Sequence, residues 1–323
     1  MRSGRWLPSN RLVLNARLFL FDDTIHQRHL DYTDMTGEED SRTRQTNGAV
    51  VINQISSGLM IGSLPYWEYS YKLLNIVCSL DPSCCDEPEY GAPDGRENLM
   101  MFLNGVSALS LLDLSAIDLS SIEAVCFFCN IFHTLLMHAR LLLSPPHKKH
   151  WSSFFGMMCY EIGNDVFSLS ELEQCVLRGH MTTATNPPDL WPPVLSRTDG
   201  HYVYALTAVD IRINFIINNG SKSNPSVLFN LMPDTFYSQI KVCSQLFVSS
   251  GINIDVIENT VTLPTIFKIF RDDFGSDPLV LLRHCLRYLE QQQWEKLSTL
   301  LADNKRIPLI KFREYRFESH ATL

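Results

Sequence analysis

The sequence predicts an α+β fold, with helices packed on a small mixed or antiparallel sheet whose central strand is Arg212–Asn218. Three observations predict it. Helical periodicity dominates the chain up to Arg178. Ile213, Phe215 and Ile217 then alternate with Arg212, Asn214 and Asn218, which suits a strand with one buried face. Further on, Ile252–Asp255 and Thr260–Leu263 read as a small hairpin around Asn259. The chain has 323 residues, 45 % hydrophobic and 19 % charged, enough apolar material for a sizeable core.

Taken in order, residues 1–95 read as a weakly ordered N-terminal extension, and residues 96–320 as the globular domain. Within the extension, Asp34–Gln45 is polar and charged, Tyr69–Val77 is helical, and Asp81–Asp94 is a Pro-rich acidic loop holding Cys84 and Cys85. Arg96–Leu112 is a helix. The clearest helix starts at Ser120, where Ser120 and Glu123 have capping-box spacing. Cys126, Cys129, Phe132 and Leu136 recur along it, and Pro145-Pro146 ends it. Ser168–Arg178 is a second amphipathic helix. Thr182–Gly200 is a long Pro-rich loop, of a length that is usually functional or mobile. Pro264 opens a helix over Thr265–Phe274, helices Pro278–Gln291 and Trp294–Ala302 follow, and Pro308–Tyr315 is a last strand.

The formal charge of −8 and the pI of about 5.7 argue against a general nucleic-acid binder. No apolar run approaches the ~18 residues of a membrane span, and the N-terminus lacks the pattern of a signal peptide. Nine cysteines, several in apolar helical surroundings, point to a reducing compartment and a cytoplasmic protein. Cys126 and Cys129 have redox-motif spacing, but mid-helix they read as core. Cys84-Cys85 lack partners at metal-ligand spacing, so neither a metal nor a cofactor is expected.

Four motifs in order carry a resemblance. Phe127-Phe-Cys-Asn-Ile-Phe-His-Thr-Leu-Leu-Met-His-Ala139 fits a signature close to Phe-Trp-Ile-Asn-x-Tyr-Asn-x-Leu-x-x-His-Ala, keeping Asn130 and His138. Tyr160-Glu-Ile-Gly163, with Phe167-Ser-Leu and Leu172–Arg178 after it, looks like a glycine turn and its following helix. Asp210–Pro225 is similar to Asp-Pro-Arg-Ile-His-Phe-Ala-Leu-Asn-Cys-Gly-Ser-Lys-Ser-Cys-Pro, and Ile266–Lys268 with Asp273-Phe274 looks like a late helix. Over roughly residues 97–320 the chain resembles the domain of unknown function 547 family. The Cys and His pattern of that family suggests a papain-like Cys hydrolase. This chain departs from it where chemistry would reside: Asn214 stands for the strand His, Asn219 and Asn224 for the loop cysteines. A carboxamide is a poor nucleophile, whereas a Cys–His pair supplies a thiolate near neutral pH.

The resemblance therefore implies a non-catalytic binding or scaffold module with a protein or peptide partner and no catalytic residue. Its candidate binding or vestigial site comprises Asn130, His133, His138, Arg212, Asn214, Asn219, Gly220, Ser221, Lys222, Ser223 and Asn224. The loop Asn219–Asn224 has two readings. It binds an anionic or peptide ligand through backbone N–H groups and Lys222, or it is a structural turn in which Gly220 takes positive φ and the Asn side chains bond the backbone. Asn130 and His138 likewise serve either a substrate or buried backbone. The alternative function is a hydrolase or transferase in which His133 or His138 activates Ser221, Ser223 or a displaced Cys, with Cys159 as first choice.

Overall fold

The computed structural model describes residues 11–15, 64–80, 95–302 apart from 186, 188, 190 and 208, and 306–320. It is α+β, with two small three-stranded sheets instead of one. In the first, β1 (Leu12–Val13) pairs in parallel with β2 (Met158–Ile162), which pairs antiparallel with β3 (Asp165–Ser168). In the second, β4 (Asn253–Asp255) and β5 (Thr260–Leu263) form the expected hairpin, and β6 (Leu309–Phe312) joins β5 in parallel. Asn259 sits in the hairpin turn at φ 50°, a left-handed conformation that Asn tolerates better than most residues.

Helices α1 (Tyr66–Leu80) and α2 (Gly95–Ala108) precede the central helix α3 (Ile122–Leu143). Every residue of α3 from Ala124 to Arg140 is buried. A helix apolar all round belongs in a core, and each buried Phe or Leu there, such as Phe127, Phe128, Phe132 and Leu135, stabilises the fold by about 2 kcal/mol. By length and composition α3 would suit a membrane, yet 89 % of its apolar window lies buried inside the protein. Its cap lies one residue later than expected. Ser121, not Ser120, accepts from Ala124 N (3.1 Å), while the Ser120 hydroxyl donates to Asp118 (2.7 Å).

Of the extension expected over residues 1–95, most lies outside the described residues, Cys84 and Cys85 included. Two described parts pack on the domain: α1 lies against α3, and β1 extends the first sheet. After α4 (Trp151–Met157) and the first sheet comes α5 (Leu169–Glu171), where Ser168 and Glu171 complete a capping box. It runs directly into a π-helix, Leu172–Leu177, closed by Arg178 N donating to Glu173 O (2.9 Å).

The expected central strand Arg212–Asn218 is not a strand. Ile211–Phe215 is a 3-10 helix capped by Asp210, whose side chain accepts from Arg212 N. The alternation misleads because both faces are buried in different places. Ile213, Ile216 and Ile217 enter the core around α3, whereas Phe215 enters a second core, stacked on Phe274 at 5.3 Å and Phe247 at 5.4 Å. That second core is built by α6 (Phe236–Gly251), α7 (Ile266–Ile269), α8 (Arg271–Phe274), α9 (Pro278–Cys285) and α10 (Gln291–Ala302) with the second sheet. The expected helix Thr265–Phe274 is thus split at Phe270, and Pro278–Gln291 ends its α-helical part at Cys285. The segment Ile211–Asn224 joins the two cores.

Candidate functional site

The loop after Phe215 is tied by its own side chains. Asn218 Oδ1 accepts from Gly220 N (2.8 Å) and Asn218 Nδ2 donates to Pro225 O (2.8 Å). Gly220 takes φ 84°, as the turn reading requires. Asn219 Oδ1 accepts from Ser221 N (3.1 Å), and Asn224 Nδ2 donates to Ile217 O (2.8 Å). The Ser221 hydroxyl donates to Asn224 Oδ1 (3.1 Å).

The C-terminal segment completes this wiring. The Tyr315 hydroxyl lies 2.7 Å from Ser221 Oγ, accepts from Asn219 Nδ2 (2.9 Å) and reaches Asn224 Oδ1 (3.3 Å). Ser223 Oγ accepts from Arg316 N (2.7 Å), Lys222 N donates to Glu318 O (2.8 Å), and His320 N donates to Gly220 O (3.0 Å). The two Asn residues that replace cysteines in the resemblance thus hold the turn together, each as donor and acceptor at once.

Among the expected site residues on α3, His133 is the one bonded to this loop. Its Nε2 accepts from Asn218 N (3.1 Å), which puts the ring proton on Nδ1, and full burial pushes its pKa down to about 3. Asn130 instead satisfies backbone: its amide donates to Leu231 O and accepts from Leu231 N, both at 2.9 Å. His138 Nδ1 lies 2.9 Å from the Tyr160 hydroxyl, and its ring meets Phe102 edge-on. Asn130 and His138 therefore fill core roles on different partners. Arg212 lies apart from the loop network, paired with Asp210 at 2.5 Å.

Among the described residues, the buried thiols are held in their neutral form. Burial pushes the thiols of Cys126, Cys159, Cys175, Cys243 and Cys285 up to about 12, and that of Cys129 up as well. Cys159 Sγ donates to Met157 O (3.2 Å). Among the described residues, no Cys or Ser side chain is hydrogen-bonded to an imidazole.

Sequence reasoning missed the residue with the most unusual environment. Glu173, buried in the π-helix, has its carboxyl pushed up to about 7 by desolvation, with Arg178 partly opposing the shift. It lines a cavity of about 10 Å³, room for one water, together with Arg178, Asn214, Ile217, Asn224 and Phe270. Asn214 Nδ2 donates to Ile211 O and Asp273 Oδ2, but Asn214 Oδ1 and Arg178 Nη1 are buried with no hydrogen-bond partner among the described residues. Arg178 is anchored through Nη2 on Asp273 and Thr182 O, both at 2.9 Å, and its guanidinium lies 3.4 Å from the Phe270 ring centre. Asp273 also accepts from Thr182 N and Oγ1, so the start of the long 182–200 loop is pinned here. A charged residue between Leu172 and the apolar pair Val176-Leu177 was the signal available in the sequence.

Residues 117–248 match the family model described as Protein of unknown function, DUF547. This segment belongs to the DUF547 family. The DUF547 match takes in Asn130, His133, His138, Glu173 and the whole 210–225 loop. It stops short of the late helix and of Tyr315, which completes the loop from outside the matched span. No curated protein and no solved structure matches the chain.

A second cluster of ligand-type groups, Glu171, Asp199 and His201, brings three donor atoms together. Its cation is supplied by the chain: the Arg11 guanidinium pairs with Glu171, and His201 Nδ1 lies 2.8 Å from Asp199 Oδ1.

Proposed function

We propose that this DUF547 protein is a non-catalytic binding module that engages a protein or peptide partner. The observation that carries the reading is the 218–225 loop. Its Asn and Ser side chains are consumed in holding the turn to Tyr315, and the two imidazoles that reach it are engaged with backbone, His133 with Asn218 N and His320 with Asn224 O. A hydrolase of the Cys or Ser type needs a nucleophile within hydrogen-bond reach of a base. Here the thiols of Cys159 and Cys243 are buried in their neutral form, and Ser221 and Ser223 are bonded to Asn224, Tyr315 and Arg316 N. Six buried cysteines, Cys126, Cys129, Cys159, Cys175, Cys243 and Cys285, are free thiols, which supports a reducing compartment such as the cytoplasm.

The test is labelling of the folded protein with iodoacetamide and, separately, a fluorophosphonate, with sites located by mass spectrometry. The binding-module reading expects slow modification scattered over several residues. Fast stoichiometric modification of one Cys or Ser bordering the 210–225 loop would transfer the protein to the hydrolase alternative.

A further inference from the structure

Two open clefts lie on either side of residues 312–317. The first, about 280 Å³, is walled by Lys222, Val227, Leu246, Phe247, Arg313 and Arg316 among others. The second, about 590 Å³, is walled by Lys148, Asp189, Lys268, Arg313, Glu314 and Phe317 among others. Arg313, Glu314 and Thr265 face both, so the extended chain after β6 is a shared wall.

Two properties of this face coincide. The chain carries a net charge of −8, yet five Lys or Arg residues and only two carboxylates line the clefts. Of those five cations, only Arg316 has an ion-pair partner among the described residues, the exposed Glu318 at 3.5 Å. Cationic walls around a concave surface raise the local concentration of anions. Beside the cations stand exposed apolar side chains, Val227 at 50 % and Leu246 at 52 %. Large apolar groups left in water next to a groove mark a surface that another molecule covers.

We propose that this double cleft binds an acidic peptide segment bearing apolar side chains, an inference that rests on the binding-module reading. Carboxylates of the peptide meet Lys222, Arg313 and Arg316, and its apolar side chains cover Val227 and Leu246. Inorganic phosphate would use the cations and leave the apolar wall exposed. Nucleic acid would meet the repulsion of a chain that is acidic overall.

The experiment is fluorescence anisotropy with a short labelled peptide in which Asp and Glu alternate with Leu and Phe. The controls replace the acids by Gln in one peptide and the apolar residues by Ser in another. Both controls are expected to bind more weakly, and added salt to weaken the parent peptide further. Lys222→Glu with Arg316→Glu, two exposed side chains whose reversal leaves the core intact, is expected to weaken binding by about tenfold or more. Leu246→Ser is expected to weaken it without changing the salt dependence. No binding of the parent peptide would overturn the proposal. So would equal binding of the acid-free control, or tighter binding of an oligonucleotide or an anionic vesicle. None of these results bears on nucleophile labelling, so this proposal and the non-catalytic reading fail separately.

Discussion

The turn at 218–225 and the small cavity beneath it are neighbours built on opposite terms. In the turn, the side chains of Asn218, Asn219, Ser221 and Asn224 all have hydrogen-bond partners. In the cavity, Asn214 Oδ1 and Arg178 Nη1 lack them among the described residues, and Glu173 has lost water with Arg178 as its compensating cation. Asn224 belongs to both. A satisfied network contributes rigidity and stability, whereas buried groups left short cost stability and persist where something else favours them. The contrast teaches that the Asn and Ser side chains singled out by the motif are taken up in holding the turn, and that the unsatisfied groups sit in the adjoining cavity.

The sharpest way to break this contrast is Asp273→Ala. It strands the buried Arg178 and frees Thr182 and Asn214 together, and we expect a loss of about 4 kcal/mol in denaturant unfolding. A loss under about 1 kcal/mol would mean that the buried pair is dispensable. Glu173→Gln should act in the opposite direction and depend on pH. The folded carboxyl keeps its proton up to about 7, while the unfolded one releases it near 4.5. The folded state therefore binds more protons across that window, and wild-type stability falls as pH rises from 4.5 through 7. The variant, having no proton to lose, should be on the order of 3 kcal/mol more stable relative to wild type at pH 8 than at pH 4. Parallel unfolding curves across pH would show that Glu173 is solvated.

Smaller effects probe the turn. Asn224→Cys restores the residue type of the resemblance but leaves Ile217 O without its donor, and should cost about 2 kcal/mol. Stability unchanged by that substitution would mean that the amide is not what holds the loop. Tyr315→Phe removes one hydroxyl from a network whose other members keep each other, and should cost about 1 kcal/mol. A much larger cost would make the C-terminal segment, rather than the loop side chains, the main fastener.

The sequence made part of this visible for local reasons. The central helix, the helix beginning at Ser168, the hairpin at Asn259 and the glycine of the turn each depend on residues within a few positions of one another. Cys126 and Cys129 read correctly as core. Ile211–Phe215 did not, because a period-two pattern arises equally when a tight helical turn is buried between two cores. Nor did the surroundings of Glu173, whose neighbours Asn214, Asn224 and Phe270 arrive from distant parts of the chain. The motif comparison identified the positions of Asn214, Asn219 and Asn224 but not their separate fates, which depend on Tyr315 and Asp273.

The widened coil at Leu172–Leu177 accommodates one residue more than an ordinary helix would over the same length. At the regular pitch of about 100° per residue, two side chains five positions apart would point about 140° away from each other. The wide turn instead brings Arg178 N onto Glu173 O and lets both side chains look into one hollow. Tightening the coil without removing a residue would thus separate acid from base, whereas deleting the half-exposed Gln174 would leave them four apart and still on one face.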